Sequence, residues 1–209
     1  MKWSMIKNIV IGIVLIIFFF LVIITTFHHI MLSIENKKIE VVGTSVEIDG
    51  YNMNVYIKGT ADKKENKPTI VLLSGSGVTA PVYEYKELYS KLTDEYRVAV
   101  VEKFGYGYSD VSGIKRDLET MVEENREALR KVGILGPYIL MPHSMSALES
   151  IYWANTYPDE VKSIIRLDMA VPNSYDEDKN NISKIKFLKA MIFVGIHRIS
   201  FFCYINKNG

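Results

Sequence analysis

Ser144 stands in the stretch Y-I-L-M-P-H-S-M-S-A, residues 138–147, between a short apolar run and a helical pattern over Ala147–Tyr157. A serine at the tip of a tight strand-to-helix turn is held clear of its sheet, and the next backbone N–H points at the same spot. The chemistry such a pair supports is acyl transfer. The Ser144 hydroxyl would attack a carbonyl, and the Met145 amide would donate to the oxygen that becomes charged. The usual spacing is G-x-S-x-G, and here Pro142 and Ser146 occupy the glycine positions. Ser146 remains small enough for close helix approach, whereas Pro142 fixes its own φ and carries no N–H.

A second loop could join that chemistry. The apolar run Thr69–Leu73 ends in Ser74-Gly75-Ser76-Gly77. Its glycines allow a sharp turn that brings backbone N–H groups close to a ligand, so Gly75 is expected at the substrate and the Ser76 amide is expected as the second oxyanion donor. The segment K-F-G-Y-G-Y-S-D, residues 103–110, places Tyr106 between two glycines. It lacks the third glycine of a dinucleotide fingerprint, and its acidic neighbour Glu102 precedes the glycines, so no dinucleotide cofactor is expected. Asp168 closes another apolar stretch, Ser163–Asp168.

These groups need elements to position them. Val46 and Ile48, the pair Asp49-Gly50, then Met53, Val55 and Ile57 alternate as a β-hairpin does. Thr60–Lys67 reads as a polar loop. Thr69–Leu73 reads as a strand buried on both faces of a parallel sheet, Arg97–Glu102 and Tyr138–Met141 as further buried strands, and Ser163–Asp168 as another strand. Pro81–Leu92 and Asp117–Val132 read as helices between them, the second with acid at its front, Lys and Arg at its back and Gly133 beyond. Such alternation predicts an α/β fold with a mostly parallel sheet and right-handed crossovers. Ligands collect at the carboxyl ends of the strands of such a sheet. The Ser74 loop, the Gly105 loop, Ser144 and Asp168 all fall at that edge.

Composition narrows the function classes. The formal net charge of the 209 residues is +1, which suggests no nucleic-acid partner, and the single Cys203 excludes an internal disulfide and a cysteine-based metal site. Histidines number four: His28, His29, His143 and His197. Adjacent His28 and His29 point in different directions on a helix, so no metal is expected there. Ile9–Phe27 is almost entirely Ile, Val, Leu and Phe, long enough to cross a bilayer as a helix. Lys2 and Lys7 precede it, which predicts a cytoplasmic stub and a globular part outside the cytoplasm from about Glu35 onward. A cleaved signal peptide would have a shorter apolar region and a small-x-small cleavage site, which does not occur before Glu35. Beyond residue 34 the chain holds 23 basic and 24 acidic residues and is near neutral.

Taken together, L-L-S-G-S-G, E-K-F-G-Y-G-Y-S-D and P-H-S-M-S, in that order, resemble the α/β-hydrolase superfamily, specifically membrane-anchored members of its lipase, esterase and proline-iminopeptidase-like group. The resemblance covers about Val46–Pro172. It departs from the family at Ser74, where histidine is common, at Glu102, where aspartate is usual, and at the two elbow glycines. It implies Ser144 as nucleophile, Ser76 and Met145 as oxyanion donors, Gly75 and Tyr106 at the substrate, and an acid that in some subfamilies lies where Asp168 does. It implies no metal and no organic cofactor. The partners it implies are a membrane lipid bilayer and a small ester or peptide-like amide.

The family's triad runs Ser, then Asp or Glu, then His. Downstream of Ser144 only His197 could supply the imidazole, and it sits in the apolar run Phe187–Phe202, which resembles a lid helix. The expected organisation is therefore an anchor over 1–34, the first half of a hydrolase core over 35–175 and the start of a lid over 176–209, with the sheet incomplete at the C-terminus. That reads as a truncated copy lacking its base. Two functions follow: a membrane-anchored serine hydrolase, or a non-catalytic membrane protein keeping half the fold as a binding surface.

Overall fold

The computed structural model describes residues 2–59, 67–169 and 182–198, which divide between two compact units. The first unit contains α1 (Lys2–Asn36) and, from the far end of the chain, α6 (Ile182–Val194). Along α1 the apolar side chains from Ile9 to Ile23 are exposed, and the helix is long and apolar enough to cross a membrane.

The second unit, Val41–Glu177, is built on a mixed sheet. Strands β1 (Thr44–Ile48) and β2 (Tyr51–Lys58) form the expected hairpin. Asp49 and Gly50 both take positive φ, 51° and 80°, as a two-residue turn matching the strand twist requires. Next come β3 (Ile70–Leu73), α2 (Pro81–Glu84), α3 (Lys86–Leu92), β4 (Val98–Glu102), α4 (Leu118–Lys131), β5 (Tyr138–Ser144), α5 (Ser146–Thr156), β6 (Val161–Ile164) and β7 (Leu167–Met169). The strand order is β1-β2-β4-β3-β5-β6, with β7 also on β5. The β1/β2 and β2/β4 pairs are antiparallel and the rest parallel.

Burial on both faces explains the unbroken apolar runs. Val71, Leu73, Ala99 and Val101 face one core with Val122, Leu129 and Trp153 from α4 and α5. Ile70, Leu72, Val98 and Val100 face the other with Val82 and Tyr89 from α2 and α3. The α4 ends are as the residue types predict. Asp117 Oδ1 accepts from the Thr120 amide at 2.9 Å, and Gly133 follows with φ 76°.

Two elements differ from expectation. The helix over Pro81–Leu92 divides at Tyr85, where φ −94° and ψ 8° mark a local bend. The stretch Ser163–Asp168 is not one strand but parts of two, β6 and β7, which pair in succession with the same edge of β5. The reason lies in the neighbouring strand. Leu140 pairs with Ile164 and His143 with Leu167, and between them stands Pro142, which has no N–H to offer the ladder.

Behind β6, Arg126 of α4 clamps Glu160 with two bonds, 2.8 Å from Nε and 2.6 Å from Nη2. The Trp153 indole donates to the same carboxylate at 2.9 Å. Arg126 holds the Glu160 carboxyl below its ordinary value of 4.5. Stability from this pairing is therefore complete above that unfolded-state value and is lost as pH falls through the lower folded value. Glu160→Gln is expected to lower the melting temperature at neutral pH and to narrow the further drop on acidification, measured by circular dichroism melts at neutral and acid pH.

Candidate active site

The strand order reverses around β3, which lies between β4 and β5, and ligand crevices form at such a switch. The loops leaving the carboxyl ends of β3 and β5 meet there. Ser144 ends β5 with φ 50°, a left-handed conformation uncommon for a residue other than glycine. Among the described residues three non-glycines share it: Asp49, Ser144 and Asp168. Asp49 is accounted for by its hairpin turn. The other two lie at the carboxyl edge of the sheet, where β7 runs beside β5 with Ser144 opposite Met169. Asp168 is exposed there.

The loop after β3 closes directly on this turn. A methyl group added at Gly75 would lie 2.8 Å from Ser144 Cβ, 2.9 Å from the His143 carbonyl oxygen and 3.0 Å from His143 Nδ1. Glycine is needed for a contact this close. Gly75 is buried, while Ser76 and Met145 are exposed. Beneath the loop, the Ser74 hydroxyl is fully buried, and neither it nor His143 Nδ1 has a hydrogen-bond partner among the described residues. The His143 ring meets Tyr85 edge-on at 6.1 Å. Burial pushes the Tyr85 hydroxyl up to about 12, so it stays neutral. The bend between α2 and α3 thus brings Tyr85 against His143.

Ser146 does more than stay small. The parallel ladder begins with Ile139 N donating to the Thr69 carbonyl at 2.9 Å, an alternation that would give His143 N the Leu73 carbonyl. Instead His143 N donates to Ser146 Oγ at 3.1 Å, and that hydroxyl lies 2.7 Å from the Leu73 carbonyl and 2.8 Å from the His143 carbonyl. The side chain is inserted into the ladder as a relay and ties the elbow to the end of β3. Ser146→Ala would leave buried backbone groups unpaired, and a loss of about 1–3 kcal/mol in urea unfolding is expected.

Two buried charges flank the turn. Lys103 Nζ lies 2.5 Å from Glu149 Oε1, with Asn125 Nδ2 donating to the other carboxylate oxygen at 3.3 Å. The ammonium also stands 5.7 Å from the centre of the Tyr106 ring. Lys103 therefore links the Gly105–Gly107 loop to the elbow helix α5. Glu102, in the position where the resembling family usually has aspartate, accepts from Asn54 Nδ2 at 3.0 Å, Val82 N at 3.3 Å and Tyr108 N at 2.8 Å. It holds the loop from inside rather than facing a substrate. The sequence singled out neither the relay nor the Lys103–Glu149 pair. A signal for the pair was present: Glu149 precedes the core residue Trp153 by four positions and so shares its buried helix face.

His197 belongs to the first unit, where its ring packs edge-on against His28 at 5.2 Å. Among the described residues no group of three or more His, Cys, Asp or Glu side chains could hold a metal ion.

Comparison with known proteins agrees with this architecture. No protein-family model matches the chain. It is 41% identical over 201 residues to uncharacterized protein YbdG of Bacillus subtilis, covering 94% of this chain and 60% of that one. It is 28% identical over 132 residues to 2-(acetamidomethylene)succinate hydrolase of Mesorhizobium japonicum, covering 61% of this chain and 42% of that enzyme. Among solved structures, an α/β-hydrolase fold protein from Burkholderia ambifaria superposes with a TM-score of 0.53 at 14% identity, covering 62% of this chain and 45% of that one. The chain thus spans about 60% of the first of these proteins and less than half of the other two. This chain is an α/β-hydrolase-fold protein.

Proposed function

We propose that the chain belongs to a membrane-anchored serine hydrolase in which Ser144 is the nucleophile. The observation that carries this reading is the left-handed Ser144 at the β5–α5 turn, with Gly75 closing on it at van der Waals limits. Strained backbone of this kind is retained where the rest of the fold over-determines it, and such positions cluster at active sites. Ser144 Oγ attacks the carbonyl carbon of an ester or peptide-like amide, and the Ser76 and Met145 amides donate to the resulting oxyanion. The alcohol or amine leaves with a proton, and water then releases the acid from the acyl-serine. Gly75 and Tyr106 border the substrate. Asp168, one strand away and also left-handed, is the acid of this reading.

The hydroxyl needs a base to take its proton. His143 is the one imidazole among the described residues of this unit, and it lies on β5 itself, so in this reading the base lies outside them. Helix α1 is the anchor, with Lys2 and Lys7 on the cytoplasmic side and the sheet unit on the other.

Ser144→Ala is expected to abolish labelling by a fluorophosphonate probe while leaving the circular dichroism spectrum unchanged. Folded wild-type chain that fails to label, under conditions in which a known serine hydrolase labels beside it, would favour the alternative, a membrane-anchored binding protein using the same fold.

A further inference from the structure

Helix α6 has no role in the chemistry above, yet its composition is unusual. It carries Lys184, Lys186 and Lys189, Arg198 follows it, no residue over 182–198 is acidic, and Ala190–Ile196 is free of charge. Phe187, Leu188, Ile192 and Phe193 are 55–64% exposed. A 13-residue helix is about 20 Å long, too short to cross a hydrocarbon layer of about 30 Å. It is not a core helix either, because these four large apolar side chains are outside.

The chain just beyond its far end is seated on α1. The Arg198 guanidinium donates to both oxygens of Glu35, at 2.8 and 2.5 Å, and to His28 Nδ1 at 2.8 Å. Gly195 has φ 83°, and a Cβ there would lie 2.5 Å from His28 Cβ, so the chain turns where only glycine admits the histidine. His28 is 4% exposed, and the Phe193 ring meets His29 edge-on at 5.1 Å. The apolar run of α1, Ile9–Phe27, is about 28 Å of helix and so fills the hydrocarbon layer by itself. His28–Asn36 then emerges at the level of the lipid headgroups, and α6 is tied to that level.

We propose that α6 is a second membrane element, an interfacial helix lying obliquely in the headgroup region of an anionic bilayer. This rests on α1 being the anchor. Polarity in α6 runs along the helix rather than around it. The uncharged half next to the Gly195 turn enters the acyl boundary, and the lysine-bearing half stays among the phosphates, where long stems let the ammonium groups reach outward. The lipid is anionic because the exposed Lys186 and Lys189, and no acid of α6, meet it, and each such charge near a negative leaflet adds attraction.

The test uses the full chain with Cys203→Ser, single cysteines replacing Phe18, Phe187 or Ile192, and an environment-sensitive NBD label. The chain is reconstituted into phosphatidylcholine vesicles with or without phosphatidylglycerol, and with or without acyl-chain spin-labelled lipid. The label at Ile192 is expected to emit to the blue and to be quenched at least about twofold by the spin-labelled lipid when phosphatidylglycerol is present, and the label at Phe187, nearer the phosphates, to be quenched less. Quenching should weaken in pure phosphatidylcholine and in Lys186→Gln/Lys189→Gln. Equal quenching with and without phosphatidylglycerol would overturn the anionic assignment. Blue emission without quenching would mean that protein, such as a second copy of the chain, covers α6, and would overturn the proposal. Water-like emission at both α6 positions with Phe18 quenched would overturn it and leave the anchor standing. An unquenched Phe18 label would remove the anchor reading and this proposal together.

Discussion

Gly107→Ala should unfold the sheet unit more readily than any surface change of equal size, with a loss of about 4 kcal/mol. The residue has φ 51°, where an added Cβ costs about 1–2 kcal/mol. The larger effect is local. That Cβ would lie 2.1–2.2 Å from the Glu102 carboxylate atoms, closer than any contact can be. Glu102 is fully buried and cannot turn toward water, so it must give up bonds to Asn54, Val82 and Tyr108. A buried acceptor left short of partners costs about 1–3 kcal/mol, and a charged one costs more. Urea unfolding of the detergent-solubilised chain checks this. A midpoint within error of wild type would mean that the carboxylate is not held as the structure shows.

Glu149→Leu should cost about 3–5 kcal/mol, because it strands the Lys103 ammonium without its counter-charge in a site that is 6% exposed. Asn125 would also lose its acceptor. Removing both charges should cost much less than removing one. Lys103→Met/Glu149→Leu is expected to recover most of the loss, since two well-packed apolar side chains avoid the desolvation that the pair suffers. The double-mutant cycle separates this from simple overpacking, which the second substitution would not repair. Since Lys103 also meets the Tyr106 ring, the double variant should keep its stability yet alter how the Gly105–Gly107 loop is held. Fluorophosphonate labelling rates would register that change.

Much of the fold was legible because its signals are local. The Asp49-Gly50 turn, the Asp117 cap and Gly133 announce themselves by residue type, since only those side chains suit such backbone conformations. The runs Ile70–Leu73 and Val98–Glu102 declare burial on both faces by having no polar alternation within them. The Ser144 turn was legible for the same reason: an apolar run, a small polar residue and a helical pattern follow one another without a gap. Other features depend on partners distant in sequence. The break between β6 and β7 is set by Pro142, about twenty residues upstream on another strand. The bend at Tyr85 places that ring against His143, a neighbour invisible to any local pattern.

By itself the sequence determined the class: apolar runs and turn residues in this order admit an α/β sheet with its loops gathered on one edge, behind a long apolar helix. Only the tertiary structure decided how the edge is held. It shows Ser146 spliced into the β3–β5 ladder, Glu102 turned inward under Gly107 and Lys103 neutralised by Glu149. It also shows Arg198 tied to Glu35 and His28. The physical reason is common to all four. Spacing along a chain fixes which backbone a residue prefers, whereas the partner of a buried polar group is set by which strands and helices come to lie side by side.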